Sequence, residues 1–121
     1  MLLAQSWLPV ISPISIDSLD RRPTNVNADS AALAVAEALE ADELVFVSNV
    51  PGVIIDGTVV PEMNAHRIEQ EITRGTITGG MVPKVRAATA ALRAVRAVRI
   101  TNLEGLRGGG TRIVAAEDKA L

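Results

Sequence analysis

The sequence contains no cysteine and a single histidine, His66. Without thiols the chain can form neither a disulfide framework nor a thiolate metal site, and one imidazole cannot build a histidine-rich zinc centre. His66 lies among glutamates in a polar stretch that is typical of a solvated helix face. We therefore expect no zinc site.

Aromatic residues are also scarce, with Trp7 and Phe46 as the two examples. The net charge is -2, and the arginines, which are concentrated in the second half, form no basic stripe interleaved with aromatic residues. A nucleic-acid partner is therefore not expected. The core must be built from Ala, Val, Ile and Leu, which suits close packing of helices on a sheet and predicts an α/β domain.

A long uninterrupted apolar run is missing too. Residues 1–16 carry no charged side chain, but Pro9 and Pro13 interrupt them, no basic residues lead them, and they are too short to span a bilayer. We expect no membrane partner and a cytoplasmic location. With 121 residues the chain has room for one domain.

Hydrophobic periodicity and turn residues predict strands alternating with helices. Residues 8–12 predict a short buried strand, followed by Pro13 and a polar loop through Thr24. The continuous apolar run over 43–48 predicts a buried parallel strand. The other predicted elements are a hairpin over 53–60 with an Asp56-Gly57 turn, helices over 30–40 and 64–74 and from 83 onward, and strands over 97–101 and 111–114.

The helix over 30–40 brings two polar residues to its start. Asn27 is the predicted N-cap, and Asp29 then lies in the first turn, where the helix dipole favours a carboxylate. Asp29 either serves the helix terminus alone or also holds a lysine or a metal.

Residues 76–84, Thr-Ile-Thr-Gly-Gly-Met-Val-Pro-Lys, join a glycine pair to a helix that is predicted to begin at Pro83. Lys84 then lies beside the unpaired N–H groups at the positive end of the helix, where a phosphoryl group is stabilised. The alternative is an ordinary loop with a surface lysine, since neither common glycine-rich phosphate motif is matched.

A second candidate segment follows the strand over 43–48. Its sequence is Ser-Asn-Val-Pro-Gly, over residues 48–52, and ligands of open α/β sheets bind at the carboxyl ends of strands. Pro51 and Gly52 also suit a simple turn, so both interpretations stay open.

Four motifs taken together resemble the amino acid kinase family, and within it the acetylglutamate kinase branch. They are Asn-Val-Asn-Ala-Asp at 25–29, Val-Ser-Asn-Val-Pro-Gly at 47–52, Gly-Thr-Ile-Thr-Gly-Gly-Met-Val-Pro-Lys-Val at 75–85 and Gly-Thr-Arg-Ile-Val at 110–114. The resemblance implies a three-layer αβα sandwich with a mainly parallel sheet, as in carbamate kinase. It also implies transfer of the γ-phosphoryl group of ATP to the side-chain carboxylate of N-acetyl-L-glutamate, in arginine biosynthesis.

The resemblance implies a role for each matched residue. Lys84 would stabilise charge on the transferring phosphoryl group, and Asp29 would position the catalytic lysines. Asn25 would bind the acylamino acid, and Asn27 is assigned with it to the substrate. A Mg²⁺ ion is expected on the nucleotide's own phosphates. The residues expected to bind the nucleotide are Ser48, Asn49, Val50, Pro51, Gly52, Val53, Ile54, Thr76, Ile77, Thr78 and Gly80.

The chain departs from the family pattern at several points. The glycine-rich start with a second catalytic lysine and the substrate-binding arginine of the amino-terminal half are missing, so residues 1–121 correspond to the ATP-binding carboxy-terminal portion. Asn49 stands where aspartate is usual, and the connection over 102–110 is short. The alternatives are a kinase of carrier-bound aminoadipate in lysine biosynthesis, or a catalytically silent ATP-binding or assembly module. We expect the chain alone to be inactive and to self-associate through the apolar face that the missing half leaves exposed.

Overall fold

The computed structural model of the chain describes residues 3–116. In this region runs of strands are separated by helices, as the sequence predicts. In chain order the elements are a 3-10 turn (Leu3–Gln5), β1 (Ile14–Ile16), β2 (Pro23–Asn25), α1 (Ala28–Ala38), β3 (Glu43–Val47), β4 (Ile54–Ile55), β5 (Thr58–Val59), β6 (Glu62–Asn64), α2 (Ala65–Thr73), α3 (Met81–Ala91), β7 (Ala97–Thr101) and β8 (Thr111–Val114).

The main sheet has four strands in the order β3-β7-β8-β6. β3 pairs with β7 and β6 pairs with β8 in parallel, whereas β7 and β8 are antiparallel. Phe46 lies beside Ile100 in this register, and Ile100 lies beside Thr111. The predicted α/β class with a mainly parallel sheet is confirmed, although the antiparallel pairing of β7 with β8 makes the sheet mixed.

The core lies between this sheet and the helices and is made almost entirely of aliphatic side chains. Val85, Ala88 and Ala91 recur at helical spacing on α3 and are fully buried. Their small volume lets the helix pack closely on β7 and β8. On the sheet side, Val98, Ile100 and Ile113 are fully buried as well. The sequence predicts an apolar stripe of Val85, Ala88, Leu92 and Val95 for this helix, and these residues are buried except Leu92, which is half-buried.

Local signals define two helix starts and one hairpin. Asn27 Oδ1 accepts a hydrogen bond from Ser30 N (3.0 Å), and Asn64 Oδ1 accepts one from Arg67 N (2.9 Å). Asp56 and Gly57 both have positive φ, 51° and 77°, and form the turn between β4 and β5. The predicted N-cap and the predicted hairpin turn are confirmed.

The predicted strand over 8–12 is wrong. This segment has no regular structure, and Leu8 and Val10 are 87% and 92% exposed. Pro9 and Pro13 cannot donate to a strand ladder, and no strand among the described residues pairs with the segment. The hairpin of β1 and β2 forms instead inside the stretch that was predicted as a polar loop, where Asp17 Oδ1 accepts from the Leu19 and Asp20 amides in the turn.

Two further predictions need correction. β3 is not buried throughout, because it lies at an edge of the described sheet, and only Leu44 and Phe46 point into the core. Helix α3 begins at Met81 rather than Pro83, with Gly80 as the N-cap. Pro83 is the third helical residue, a position whose N–H would also lack an intrahelical partner, so the ring is tolerated there. Within residues 3–116 no helix has the length and apolar character needed to cross a membrane.

Candidate functional site

The amino-terminal ends of α1 and α3 open onto one groove. Its volume is about 520 Å³, and it brings Asp29 of α1 together with Lys84 of α3, which are 55 positions apart in the sequence (84 minus 29). Its lining residues are Asn27, Asp29, Ser30, Leu33, Phe46, Gly80, Pro83, Lys84, Ala87 and Ala90. The groove is therefore apolar along its walls and carries one cationic and one anionic side chain.

Lys84 is the cation of this groove. It is half-buried, and its Nζ atom lies 5.8 Å from the centroid of the Phe46 ring. Among the described residues no carboxylate lies within 4.0 Å of its nitrogen. Since the amino-terminal end of a helix already carries positive partial charge, an unpaired lysine beside it favours a bound anion.

Asp29 and Asn27 enter the groove from α1. Asp29 is in the first helical turn and half-buried. The side-chain oxygen of Asn27 is engaged as the N-cap, where it also lies 3.4 Å from Ser30 Oγ. Asn25 is the last residue of β2, is exposed and does not line the groove.

A smaller cavity of about 150 Å³ joins the two segments that the sequence analysis assigned to a nucleotide. Val50 and residues 52–54 form one wall and residues 76–78 the other. The lining residues are Val50, Gly52, Val53, Ile54, Thr76, Ile77, Thr78 and Met81. Ser48, Asn49 and Pro51 lie outside it, and the Ser48 backbone N–H donates to Thr101 O (2.7 Å).

The end of α2 explains why residues 76–78 reach this cavity. Gly75 has a φ of 78° and donates its N–H to Ile72 O, while Thr76 N donates to Glu71 O (3.0 Å). These two bonds form a Schellman motif, which reverses the chain after the helix. Ile77 N also donates to Glu71 O, so the segment is held against the helix end before α3 begins.

The first turn of α3 separates the two cavities. Thr78 and Met81 line the smaller one, whereas Gly80, Pro83 and Lys84 line the groove. A ligand that occupied both would cross the free N–H groups of the helix. An apolar or aromatic group would fit the smaller cavity, and an anionic group would lie near Lys84.

Metal-binding capacity in this region is limited. The described part of the chain contains no group of three or more His, Cys, Asp or Glu side chains arranged to hold a metal. Asp29 is the carboxylate among the groove's lining residues. This donor set fits a hard cation that brings most of its own oxygen ligands, such as one already bound to phosphates.

Two further residues contribute to this region and were not predicted as part of it. Phe46, the single phenylalanine, was read as core but also lies under Lys84. Thr111 belongs to the motif at 110–114, for which no functional role was predicted. Its Oγ1 nevertheless accepts a buried hydrogen bond from Val53 N (2.8 Å). The available signal was the position of Thr111 two residues before Ile113, on the same face of the strand, since a hydroxyl on a buried face needs a partner.

Curated proteins with similar sequences include acetylglutamate kinases from several bacteria. The profile described as "Amino acid kinase family" matches residues 1–102. Acetylglutamate kinase from Chloroflexus aurantiacus is 56% identical over 117 residues, covering 96% of this chain and 46% of that protein. The enzyme of that name from Roseiflexus castenholzii is 58% identical over 115 residues, covering 94% of this chain and 44% of that protein. The chain thus spans less than half the length of these relatives.

Solved structures of similar fold include smu.665 from Streptococcus mutans UA159, with a TM-score of 0.77 at 35% identity over 95% of this chain and 46% of that one. N-acetylglutamate synthase from Neisseria gonorrhoeae has a TM-score of 0.72 at 25% identity, over 86% and 27% of the two chains. Carbamate kinase from Giardia lamblia bound to AMP-PNP has a TM-score of 0.62 at 24% identity, over 85% and 41%. The α/β fold with an open, mixed sheet is shared with these structures.

Proposed function

The chain belongs to the amino acid kinase family, and on this premise we propose that it supplies the nucleotide site of an ATP-dependent acetylglutamate kinase. The observation that carries the proposal is the groove at the amino-terminal ends of α1 and α3, which both Lys84 and Asp29 line. The relatives named acetylglutamate kinase support N-acetyl-L-glutamate as the acceptor. The pathway would then be arginine biosynthesis, and the location cytoplasmic.

The proposed reaction asks the protein for alignment and charge stabilisation. A side-chain carboxylate oxygen of the acceptor attacks the γ-phosphorus of ATP and forms a new P–O bond. The bond between the γ-phosphorus and the β,γ-bridging oxygen breaks, and ADP leaves with the electron pair of that bond. No proton has to be removed from a carboxylate, and no protein nucleophile is needed. Mg²⁺ bound to the phosphates would offset their charge, and Asp29 is the carboxylate that the groove's lining would offer to it.

Lys84 and Asp29 would share the work of charge stabilisation. The ammonium of Lys84 would lie beside the transferring group, where negative charge on the phosphoryl oxygens is densest. Asp29, at the start of α1, would keep a lysine ammonium directed into the groove. Asn25 and Asn27 are assigned to the acylamino acid, and the capping bond of Asn27 would fix its orientation.

The nucleotide is assigned to the two segments beside the smaller cavity. Val50, Gly52, Val53 and Ile54 lie on one side of it and residues 76–78 on the other, which supports a role in holding the base and ribose. Ser48, Asn49 and Pro51 belong to the same loop outside the lining, and Gly80 leads to the phosphate end. The chain would act as the ATP-binding portion of a longer catalytic unit, because its relatives are more than twice as long as the matched region.

Calorimetric titration with MgATP tests the nucleotide role. Saturable binding by the wild-type chain, weakened at least tenfold by Lys84→Ala and less strongly by Asp29→Ala, is expected. Arg93→Ala is the matched control, because it removes an exposed cation beyond the other end of α3. Absence of binding by the wild-type chain would contradict the proposal, and equal effects of Lys84→Ala and Arg93→Ala would remove Lys84 from the site.

The acceptor requires a separate experiment. Phosphoryl transfer is measured with N-acetyl-L-glutamate and with carrier-bound aminoadipate, using the chain joined to any in-frame coding sequence upstream of Met1. Transfer to the first alone supports the proposed function, and transfer to the second alone replaces it with the lysine-pathway alternative. ATP binding without transfer to either acceptor would favour a catalytically silent binding or assembly module. This is the second candidate, because the chain covers less than half the length of its relatives.

A further inference from the structure

We infer that Thr111 is a positioning residue of the nucleotide loop, defined here as residues 48–54. The identity of the ligand in this inference rests on the proposed function. The positioning role itself rests on contacts within this chain. The backbone N–H of Val53 donates to Thr111 Oγ1 over 2.8 Å, and the two residues are separated by 58 positions. Strand β8 therefore holds the carboxy-terminal part of a loop that follows β3.

Burial makes this hydrogen bond important. Thr111 is 0% exposed and Val53 is 1% exposed. Water therefore cannot replace the hydroxyl as an acceptor, and the Val53 N–H would lose its partner if the hydroxyl were removed. Valine has nearly the shape of threonine and would fill the position, so the hydroxyl is used for its hydrogen bond and not for its volume.

Gly52 shows how closely the loop approaches β8. Its φ is 152°, and a Cβ atom added there would lie 2.8 Å from Thr111 Oγ1 and 2.9 Å from Val59 Cγ1. A larger residue at position 52 would push the loop away from Thr111. Gly52 and Thr111 thus pack directly against each other, and this contact determines the distance between the loop and the sheet.

The contact lies beside the proposed nucleotide cavity. Val53 and Gly52 line that cavity, and Val53 O accepts from Val60 N (2.9 Å), so both backbone groups of Val53 are held. Thr111 itself does not line it. Displacement of the loop would change the cavity wall opposite residues 76–78 without removing a group that contacts the ligand.

The test compares three variants of the full chain with the wild type. Thr111→Val removes the acceptor at constant shape, and Thr111→Ser retains it. Thr101→Val is the matched control, because Thr101 Oγ1 is also fully buried but has no hydrogen-bond partner among the described residues. Urea unfolding first defines conditions under which all four proteins are fully folded.

Two measurements are made under those conditions. Amide hydrogen exchange of the peptides that cover residues 48–60 is expected to accelerate at least tenfold in Thr111→Val and to stay within about twofold of wild type in Thr111→Ser and Thr101→Val. Calorimetric titration is expected to give an MgATP dissociation constant about tenfold higher in Thr111→Val alone.

Each outcome is decisive. Unchanged exchange in Thr111→Val, or equal acceleration in Thr111→Ser, overturns the positioning role of the hydroxyl. Accelerated exchange with unchanged affinity overturns the link between the loop and the nucleotide. If the wild-type chain binds no MgATP, the proposed function fails and the nucleotide part of this inference fails with it, whereas the exchange measurement still decides whether Thr111 holds the loop.

Discussion

The ammonium nitrogen of Lys84 lies over the ring of Phe46, 5.8 Å from its centroid. The pair joins the amino-terminal turn of α3 to the edge strand β3, and both side chains line the groove. The negative face of the ring attracts the cation and limits the directions in which the lysine stem extends. Phe46 thereby keeps the ammonium in the groove when no anion is bound.

A double-mutant cycle measures this pair. We expect a coupling free energy of about 0.5–1 kcal/mol between Phe46→Leu and Lys84→Met in urea unfolding, since methionine keeps the apolar stem and leucine keeps a buried apolar group. Phe46→Leu combined with Arg93→Met is the control cycle and is expected to be additive. A coupling near zero in the first cycle would show that the ring does not hold the lysine.

The capping bond of Asn27 leads to a second prediction. Asn27→Ala removes the acceptor for Ser30 N and is expected to lower the free energy of unfolding by about 1 kcal/mol, while Asn27→Asp retains the cap. Asn64→Ala removes the equivalent cap of α2 outside the groove and is expected to cost a similar amount. Only Asn27→Ala should also alter binding in the groove, and identical calorimetric titrations for the two alanine variants would argue against its site role.

Arg99 and Arg112 provide a matched pair on neighbouring strands, because they lie opposite each other in the β7-β8 register. Arg99 Nε donates to Glu43 Oε1 (2.9 Å), and its Nη1 lies 3.2 Å from the carbonyl oxygens of Gly105, Leu106 and Gly109. Its side chain is 17% exposed, against 52% for Arg112, which forms one long contact to Glu62.

We therefore expect Arg99→Met to lower the free energy of unfolding by about 2 kcal/mol and Arg112→Met by less than about 0.5 kcal/mol. Arg99→Lys should recover only part of the loss, because one ammonium cannot reach the carboxylate and the carbonyls together. Urea denaturation provides the comparison. Equal effects at the two positions would mean that the loop contacts of Arg99 are not stabilising.

Exposed apolar residues near the amino-terminal end lead to the fourth prediction. Leu8 and Val10 are almost fully exposed, and β3 lies at an edge of the described sheet. We expect the purified chain to self-associate, with the oligomeric fraction reduced in the double variant Leu8→Ser, Val10→Ser. Light scattering after size-exclusion chromatography measures this, and a wild-type monomer at about 100 µM would contradict it.

The features that the sequence predicted correctly depend on near neighbours in the chain. An asparagine three residues before an amide defines the start of α1, and Asp56-Gly57 adopts the positive φ angles that its hairpin needs. The stripe on α3 is likewise a matter of spacing. Only its start was misplaced, because proline is accepted at more than one position of the first turn.

The features that the sequence did not reveal depend on distant partners. A run such as residues 8–12 forms a strand only beside another strand, and burial of β3 depends on what lies along its outer edge. The bond from Val53 to Thr111 is equally invisible in a local pattern. The family resemblance assigned Lys84 and Asp29 to one site, and both line the same groove, since shared ancestry carries three-dimensional information that periodicity lacks.

The hydrogen bonds from Arg99 to three carbonyl oxygens constrain how the sequence of the connection between β7 and β8 can evolve. Every residue type has the same backbone carbonyl group. The arginine therefore depends on the backbone conformation of this connection and not on the identity of its side chains. Substitutions at Leu103, Glu104 and Arg107 would then leave these hydrogen bonds intact. Evolution would be expected to conserve the length of this connection and its glycines, and an inserted reporter peptide would be tolerated at its tip only if the path beneath it were kept.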